Sequence, residues 1–287
     1  MYPGSFQYSA PSSLAEARGL LATLGPDAKV LAGGHSLIPM MKLRLAEPAH
    51  LIDLGRIPEL SYVREAGGGL AIGAMTTYHQ LETSPLVRDR YPALADAASQ
   101  VADIQVRNKG TIGGSLAHAD PGADLPSVML ALEATLTSTG PGGQRTSDAD
   151  GFFQGPFTTG LEPDEILSEI GLPALPANTG GAYKKFANKA SHFAIVGVTA
   201  IVTLAGNTCR RVRIGVTGAG ANASRARAAE AALEGREATD DNVDRAAAQA
   251  GEGIDFLGDI HASEEFRAHL VQVFARRALQ EAVARAR

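Results

Sequence analysis

The chain has 287 residues, room for two domains and a sizeable buried core, and its 45% hydrophobic and 20% charged content is an ordinary globular balance. A formal net charge of -5, with acids and bases interspersed, offers no field for gripping nucleic acid and excludes that class of partner. A single cysteine, Cys209, rules out an internal disulfide or an iron–sulfur cluster, and the seven histidines show no metal-ligand spacing.

Redox chemistry in such a chain needs an organic cofactor, with any metal relay on another chain. Met1-Tyr2-Pro3-Gly4 lacks a basic region followed by an apolar core, so no secretory signal is expected. The longest near-apolar run, Phe193 to Leu204, is too short to cross a bilayer, and a cytoplasmic protein is the expectation.

Residues 1–25 read as an extended segment and then a helix. Ser13 and Glu16 are spaced as a capping box, and Leu14, Ala17, Leu21 and Leu24 form one stripe. Lys29–Ala32 reads as a buried strand ending at Gly33-Gly34, and a second strand follows at Leu51–Leu54, so the segment is a small α/β layer. Leu70–Ala74 is a strand, a helix carrying Tyr78 and Leu81 starts after Thr76-Thr77, and an alanine-rich helix covers Ala93–Ala102. A second glycine turn occupies 110–115. Ser127–Leu132 reads as a helix and Ala134–Ser138 as a strand, with a surface loop over 139–143. Phe152, Phe153 and Phe157 read as core anchors beneath a loop. Glu165–Ile170 is a strand, and 173–178 is a linker.

The remainder has another texture. Ala182–Lys189 reads as a strand, and Ile195–Leu204 with Arg211–Thr217 as a hairpin in which Val212, Ile214 and Val216 alternate with Arg211 and Arg213, leaving one face wet. Three alanine-rich helices follow, over 223–233, 242–250 and 263–286, the last burying Phe266, Leu270, Val273 and Phe274.

Two stretches carry the chemistry. Ala32-Gly33-Gly34-His35-Ser36-Leu37 follows a strand, and its glycines let backbone N–H groups converge on one point, with the Ser36 hydroxyl adding a donor; a polyanion is the natural guest. Thr111-Ile112-Gly113-Gly114-Ser115 repeats the idea, and two such bends imply a diphosphate gripped from both sides. His35 either donates to the ligand or braces its own loop. Asp120 and Asp124 flank Pro121-Gly122, where a hydrogen bond to a ribose or ribityl hydroxyl suits a short acid better than a metal pair lacking further ligands. Lys185 lies either on a solvated face or beside a cofactor's electron-rich ring. Gly218-Ala219-Gly220-Ala221-Asn222-Ala223 fits a dinucleotide fingerprint, but the strand and ribose-binding acid that should follow are missing, so it reads as a tight strand-to-helix turn.

Ala32–Pro39, Ile72-Gly73-Ala74-Met75-Thr76-Thr77 and Gln105–Ser115 together resemble the FAD-binding medium subunit of molybdenum hydroxylases, particularly the carbon monoxide dehydrogenase-type branch. The likeness continues through Ala117–Pro121, Ala123–Pro126, Glu165-Ile166-Leu167, Tyr183–Phe186 and Phe193–Gly197, nearly the whole chain. The resemblance implies an α+β fold: a vanillyl-alcohol-oxidase (PCMH)-type FAD-binding domain over 1–177, its two α/β subdomains at about 1–57 and 58–177, then a C-terminal domain of antiparallel sheet and helices over 178–287. It implies FAD with its diphosphate at 32–36 and 111–115, Asp124 on a polar part of the cofactor, and Leu167 and Lys185 at the isoalloxazine, Lys185 favouring negative charge on the reduced ring. Thr76 and Thr77 would line the same groove. The chain departs from the pattern at the outer edge of the flavin pocket, where His192 precedes Phe193 and many relatives carry an acid.

The implied function is electron transfer within a complex. A large subunit carries the molybdenum cofactor, a small subunit carries [2Fe–2S] clusters, this chain carries FAD, and an external acceptor such as a quinone takes the electrons. The implied assembly is a dimer of heterotrimers, cytoplasmic or peripherally associated with the inner membrane through its acceptor, and no residue here performs the substrate chemistry. The alternatives are the same subunit in an aldehyde, purine or N-heterocycle dehydrogenase, a stand-alone FAD oxidase, and an interaction protein without flavin.

Overall fold

The computed structural model describes residues 2–287. The chain opens with a parallel unit: β1 (Gln7–Ser9), α1 (Leu14–Leu24), β2 (Ala28–Leu31), α2 (Leu37–Lys42) and β3 (His50–Asp53), with the strands in the order β1-β3-β2. Ser13 caps α1 by accepting from the Glu16 N–H, but the Glu16 carboxylate reaches the N–H of Ser12, one residue short of closing a capping box. Ala17 and Leu21 bury the inner face of α1 against Ile52 and Leu54.

The next unit is a five-stranded antiparallel sheet with six helices between its strands. It runs β4 (Val63–Ala66), β5 (Gly69–Gly73), α3 (Tyr78–Thr83), α4 (Pro85–Arg90), α5 (Pro92–Gln100), α6 (Ile104–Arg107), α7 (Ile112–His118), α8 (Leu125–Leu132), β6 (Thr135–Gly140) and β7 (Gly143–Asp148). A small hairpin of β8 (Phe153–Gly155) and β9 (Thr158–Thr159) precedes β10 (Ile166–Leu172), and the sheet order is β4-β5-β10-β6-β7. Residues 139–143 are therefore the end of a tight β6–β7 hairpin, not a free loop. The core gathers on α8, buried at all eight positions, with Leu94, Ile112 and Leu116 packed around it.

The last unit is an antiparallel sheet of β11 (Thr179–Ala187), β12 (Ala194–Ala205), β13 (Thr208–Thr217) and β14 (Ser224–Arg225), in that order, followed by α9 (Arg227–Leu233), α10 (Asp240–Ala248) and α11 (Glu264–Ala286). The G-x-G-x-x-A stretch turns into β14, which pairs antiparallel with β13, so no βαβ unit forms there. Leu270, Phe274 and Leu279 bury α11 on one face of the sheet. Phe266, expected in that stripe, is 42% exposed, because it stands in the first turn of α11 with its ring edge-on to Phe186.

The other face of this sheet carries α8. The Ser127 hydroxyl on α8 lies 3.0 Å from that of Thr199 on β12. Glu133, just past α8, accepts from the Arg213 Nε at 2.7 Å and also pairs with Arg211 and Arg225, while Arg225 forks onto Glu230. The arginines that alternate along β13 thus face a carboxylate from the preceding unit.

Burial opposes the Glu133 charge, but Arg213, Arg211 and Arg225 outweigh it and hold its pKa below the ordinary 4.5. Arg145 does the same for Glu165. A depressed folded-state pKa means that the unfolded chain takes up protons first as the pH drops, so this stability is present above the ordinary value and drains below it. The melting temperature is expected to fall as the pH is lowered through 4.5. Glu133→Gln is expected to lower it by about 2–4 °C at neutral pH, roughly 1 kcal/mol, and to flatten its acid slope. Calorimetry on both proteins between neutral pH and acid checks this, and parallel acid slopes would refute it.

Candidate functional site

Between the parallel unit and the five-stranded sheet runs a groove of about 1270 Å³. Its first wall is the bend that ends β2. Gly34 takes φ +77°, and the backbone N–H groups of Gly33, Gly34, His35 and Ser36 make no hydrogen bond among the described residues. The Ser36 side chain does not cap α2, so its hydroxyl is uncommitted as well. Five donors on four consecutive residues thus face a groove, the arrangement that recognises a diphosphate. The bend lies directly on the other glycine segment: a Cβ on Gly33 would sit 2.2 Å from the Lys109 carbonyl oxygen, and one on Gly114 3.3 Å from the Ala32 Cβ.

That other segment is built differently from the bend expected there, because it is the first turn of α7. Its amides are used inside the fold: Ile112 donates to the Thr76 carbonyl, Gly113 to that of Ala74, Gly114 to the Thr111 hydroxyl and Ser115 to the Thr111 carbonyl. It offers the groove the side chains of Thr111 and Ser115. Ser115 sits against the Tyr78 phenol, whose burial pushes its pKa up to about 12, so Tyr78 stays a neutral donor at any working pH.

Asp124, at the start of α8, is buried where the groove meets the C-terminal sheet. Its Oδ1 accepts from the Tyr183 hydroxyl at 2.5 Å and the Lys185 Nζ at 2.9 Å. Burial raises the Asp124 pKa against the opposing pull of Lys185 and Tyr183, and burial beside Asp124 drives the Tyr183 phenol well above its usual range. The 121–124 loop is fixed from behind, since the Thr217 hydroxyl shares its proton between the carbonyls of Ala123 at 2.7 Å and Pro121 at 3.1 Å, and Gly218 N–H also donates to Pro121. Lys185 is not on a solvated face: its side chain is 4% exposed.

Of the residues singled out from the sequence, 32–37, Thr111, Gly113, Gly114, Ser115, Asp120, Asp124 and Leu167 line this one groove. His35 makes no bracing hydrogen bond among the described residues, and Asp120 accepts from the Gly122 N–H, closing its own turn. Four residues lie elsewhere. The Thr76 hydroxyl is bonded to the backbone of Tyr62, Thr77 caps α3 in a box with Gln80, Ile112 is in the core, and Lys185 stands one layer behind the wall.

Sequence reasoning passed over His118 and took Phe157 for a core anchor, whereas it did place His192 and Phe193 at the pocket's outer edge. His118 follows Gly114 and Ser115 by four and three residues, helical spacing that puts it on their face of α7. Burial lowers its pKa, Asp120 opposing and Lys29 adding to the effect, and its ring lies 5.0 Å from that of Phe157. Phe157 is not a core anchor. It is 59% exposed at φ 55° and forms part of the wall, whereas Phe152 and Phe153 are buried as expected. The turn Ser191-His192-Phe193 forms the rim.

Known proteins share this architecture. Residues 4–175 match the family model of the FAD binding domain in molybdopterin dehydrogenase, and 181–282 match that of the CO dehydrogenase flavoprotein C-terminal domain. The chain is 45% identical over 285 residues to the carbon monoxide dehydrogenase medium chain of Hydrogenophaga pseudoflava, covering 99% of both. It is 38% identical to the 6-hydroxypseudooxynicotine dehydrogenase complex subunit alpha of Paenarthrobacter nicotinovorans, covering 100% of this chain and 97% of that one. A solved structure of carbon monoxide dehydrogenase from Hydrogenophaga pseudoflava includes a chain that superposes with a TM-score of 0.96 at 47% identity, over 99% of each.

Proposed function

The chain belongs to the FAD-binding medium subunits of the molybdenum hydroxylases, and on that premise we propose that it is the electron-relay subunit of a carbon monoxide dehydrogenase-type enzyme. FAD suits the residues present. The amides of 33–36 with the Ser36 and Thr111 hydroxyls would hold the diphosphate, Asp124 would accept from a sugar or ribityl hydroxyl, and Leu167 would pack on the ring. FAD held there would supply the redox chemistry that no side chain here offers, as a relay between iron–sulfur clusters and an acceptor such as a quinone. The protein's own work is to bind, orient and shield. Phe157 and Phe193 cover apolar parts of the groove, and Tyr78 presents a phenol that stays protonated.

The observation that carries this reading is the bend at 33–36, with four unused amides pressed against 109–114 in one groove. Cys209 is buried and alone, so this chain cannot ligate a cluster by itself. In the proposed complex, a dimer of heterotrimers, a small subunit carries the clusters and a large one the molybdenum cofactor. Among the described residues no helix is long and apolar enough to cross a membrane. The proposed site of action is cytoplasmic, with contact to the inner membrane through the acceptor.

A tagged chain purified from its host is expected to bring down two further subunits, iron and molybdenum, and to show flavin absorbance that bleaches under carbon monoxide. A flavin-bearing chain that oxidises a small substrate alone would make it a stand-alone oxidase, and a colourless one would end the FAD reading. The 38% identity to a subunit of the 6-hydroxypseudooxynicotine dehydrogenase complex supports a second reading, a different substrate on the large subunit. Bleaching by an aldehyde, purine or N-heterocycle, and not by carbon monoxide, would select it.

A further inference from the structure

An ammonium group has three N–H donors, and three acceptors take all of those on Lys185. They are the Gln100 carbonyl at the end of α5 (2.7 Å), Asp124 Oδ1 (2.9 Å) and the His192 carbonyl (2.7 Å). No donor is left for a ligand, and the Asp124 carboxylate offsets the charge that would otherwise reach a flavin ring.

The ammonium instead joins two walls of the groove. Gln100 leads into Val101 and Ala102, His192 sits between Ser191 and Phe193, and all four of these neighbours line the groove. His192 holds φ 59°, the left-handed region that a non-glycine residue occupies only when its surroundings hold it there. Its turn bonds mainly to itself: His192 N–H donates to the Asn188 carbonyl, Asn188 N–H to that of Phe193, and the Ala190 and Ser191 N–H groups to the Asn188 side chain. Among the described residues, the bond from Lys185 is the hydrogen bond that ties residues 188–193 to another element.

We infer that Lys185 is a positioning residue: it acts on FAD through the 188–193 turn and Asp124, fixing the groove's rim around the cofactor, and not by a bond or charge applied to the ring. The inference rests on the FAD reading above and replaces the ring contact that the resemblance implies for this lysine.

The test compares the purified complex carrying wild-type chain, Asp124→Asn, Lys185→Met or Lys185→Met/Asp124→Asn. Lys184→Met, whose side chain faces Glu281 at 4.0 Å, is the control. The readouts are tryptic cleavage after the exposed Lys189, found by mass spectrometry, the rate of FAD release, and the midpoint potential of bound FAD. Asp124→Asn alone leaves Lys185 both of its backbone acceptors, Gln100 and His192, and is the reference against which the double variant is read. Adding Lys185→Met to it is expected to speed both cleavage and FAD release about tenfold or more, the effect of losing a hydrogen bond to a charged group. The double variant leaves no buried charge unpaired, so it keeps the test valid if Lys185→Met alone does not fold. The inference is overturned if loss of Lys185 in the Asp124→Asn background shifts the potential while cleavage and release stay unchanged. A wild-type complex without flavin would defeat the FAD reading instead, and the cleavage comparison would still decide whether Lys185 holds the turn.

Discussion

Gly33→Ala is expected to strip the complex of most of its flavin, with FAD affinity down roughly 30- to 150-fold for about 2–3 kcal/mol of overpacking. The added Cβ would meet the Lys109 carbonyl oxygen at 2.2 Å, the Gly110 Cα at 2.7 Å and the Lys109 carbonyl carbon at 2.8 Å, all backbone atoms. That backbone is anchored, because Lys109 and Gly110 both donate to the Val106 carbonyl and the Gly110 carbonyl accepts from Tyr78. The bend must therefore lift away, and the amides of 33–36 move off the point they share. Extracted FAD per chain, followed by titration of flavin into the stripped protein, gives the number. Gly142→Ala is the control, since nothing lies within 4 Å of its added Cβ. Full flavin occupancy in Gly33→Ala would show that the bend does not bind the diphosphate.

The other large effect is on stability. Gly215→Ala on β13 would place a Cβ 2.0 Å from the Ser127 carbonyl oxygen on α8. Ser127 cannot yield easily, being fully buried and bonded through its hydroxyl to the Asp124 carbonyl and Thr199. The expected cost is about 3 kcal/mol, a fall of roughly 6–12 °C in melting temperature. Because Asp124 immediately precedes α8, the displacement also reaches the groove, and FAD release is expected to quicken in the same variant. An unchanged melting curve would mean that the α8–β13 contact is looser than the structure shows.

How far the molecule is legible in its sequence depends on who answers each group. The bend at 33–36 could be read because its chemistry is local: a strand stops, two glycines follow, and no neighbour competes for the amides. The segment at 111–115 has a similar composition but serves another end. A Cβ on Gly113 would lie 2.5 Å from that of Ala74, so this glycine permits close packing, and its N–H goes to the Ala74 carbonyl. No local pattern announces a partner some forty residues away. The edge strands β4 and β7 escaped for a related reason: Val63-Arg64-Glu65-Ala66 and Gly143–Asp148 keep most side chains in water and lack the apolar alternation that marks a half-buried strand. Lys185 shows the same limit at the site. Its residue type implied a charge at a ring, whereas its use is set by three acceptors on three separate elements.

One helix has consequences for evolution as well as for folding. Since α8 is buried at every position, between the core of the middle sheet and the face of the last one, and since Glu133 at its end answers three arginines from the tail, a change on one side of that seam has to be matched on the other. A hybrid gene that grafts the tail of one relative onto the head of another would fold only where the incoming tail keeps a bare backbone opposite Ser127 and basic partners opposite Glu133. Recombination within this lineage is therefore expected to cross over elsewhere, or to carry α8 and β13 together.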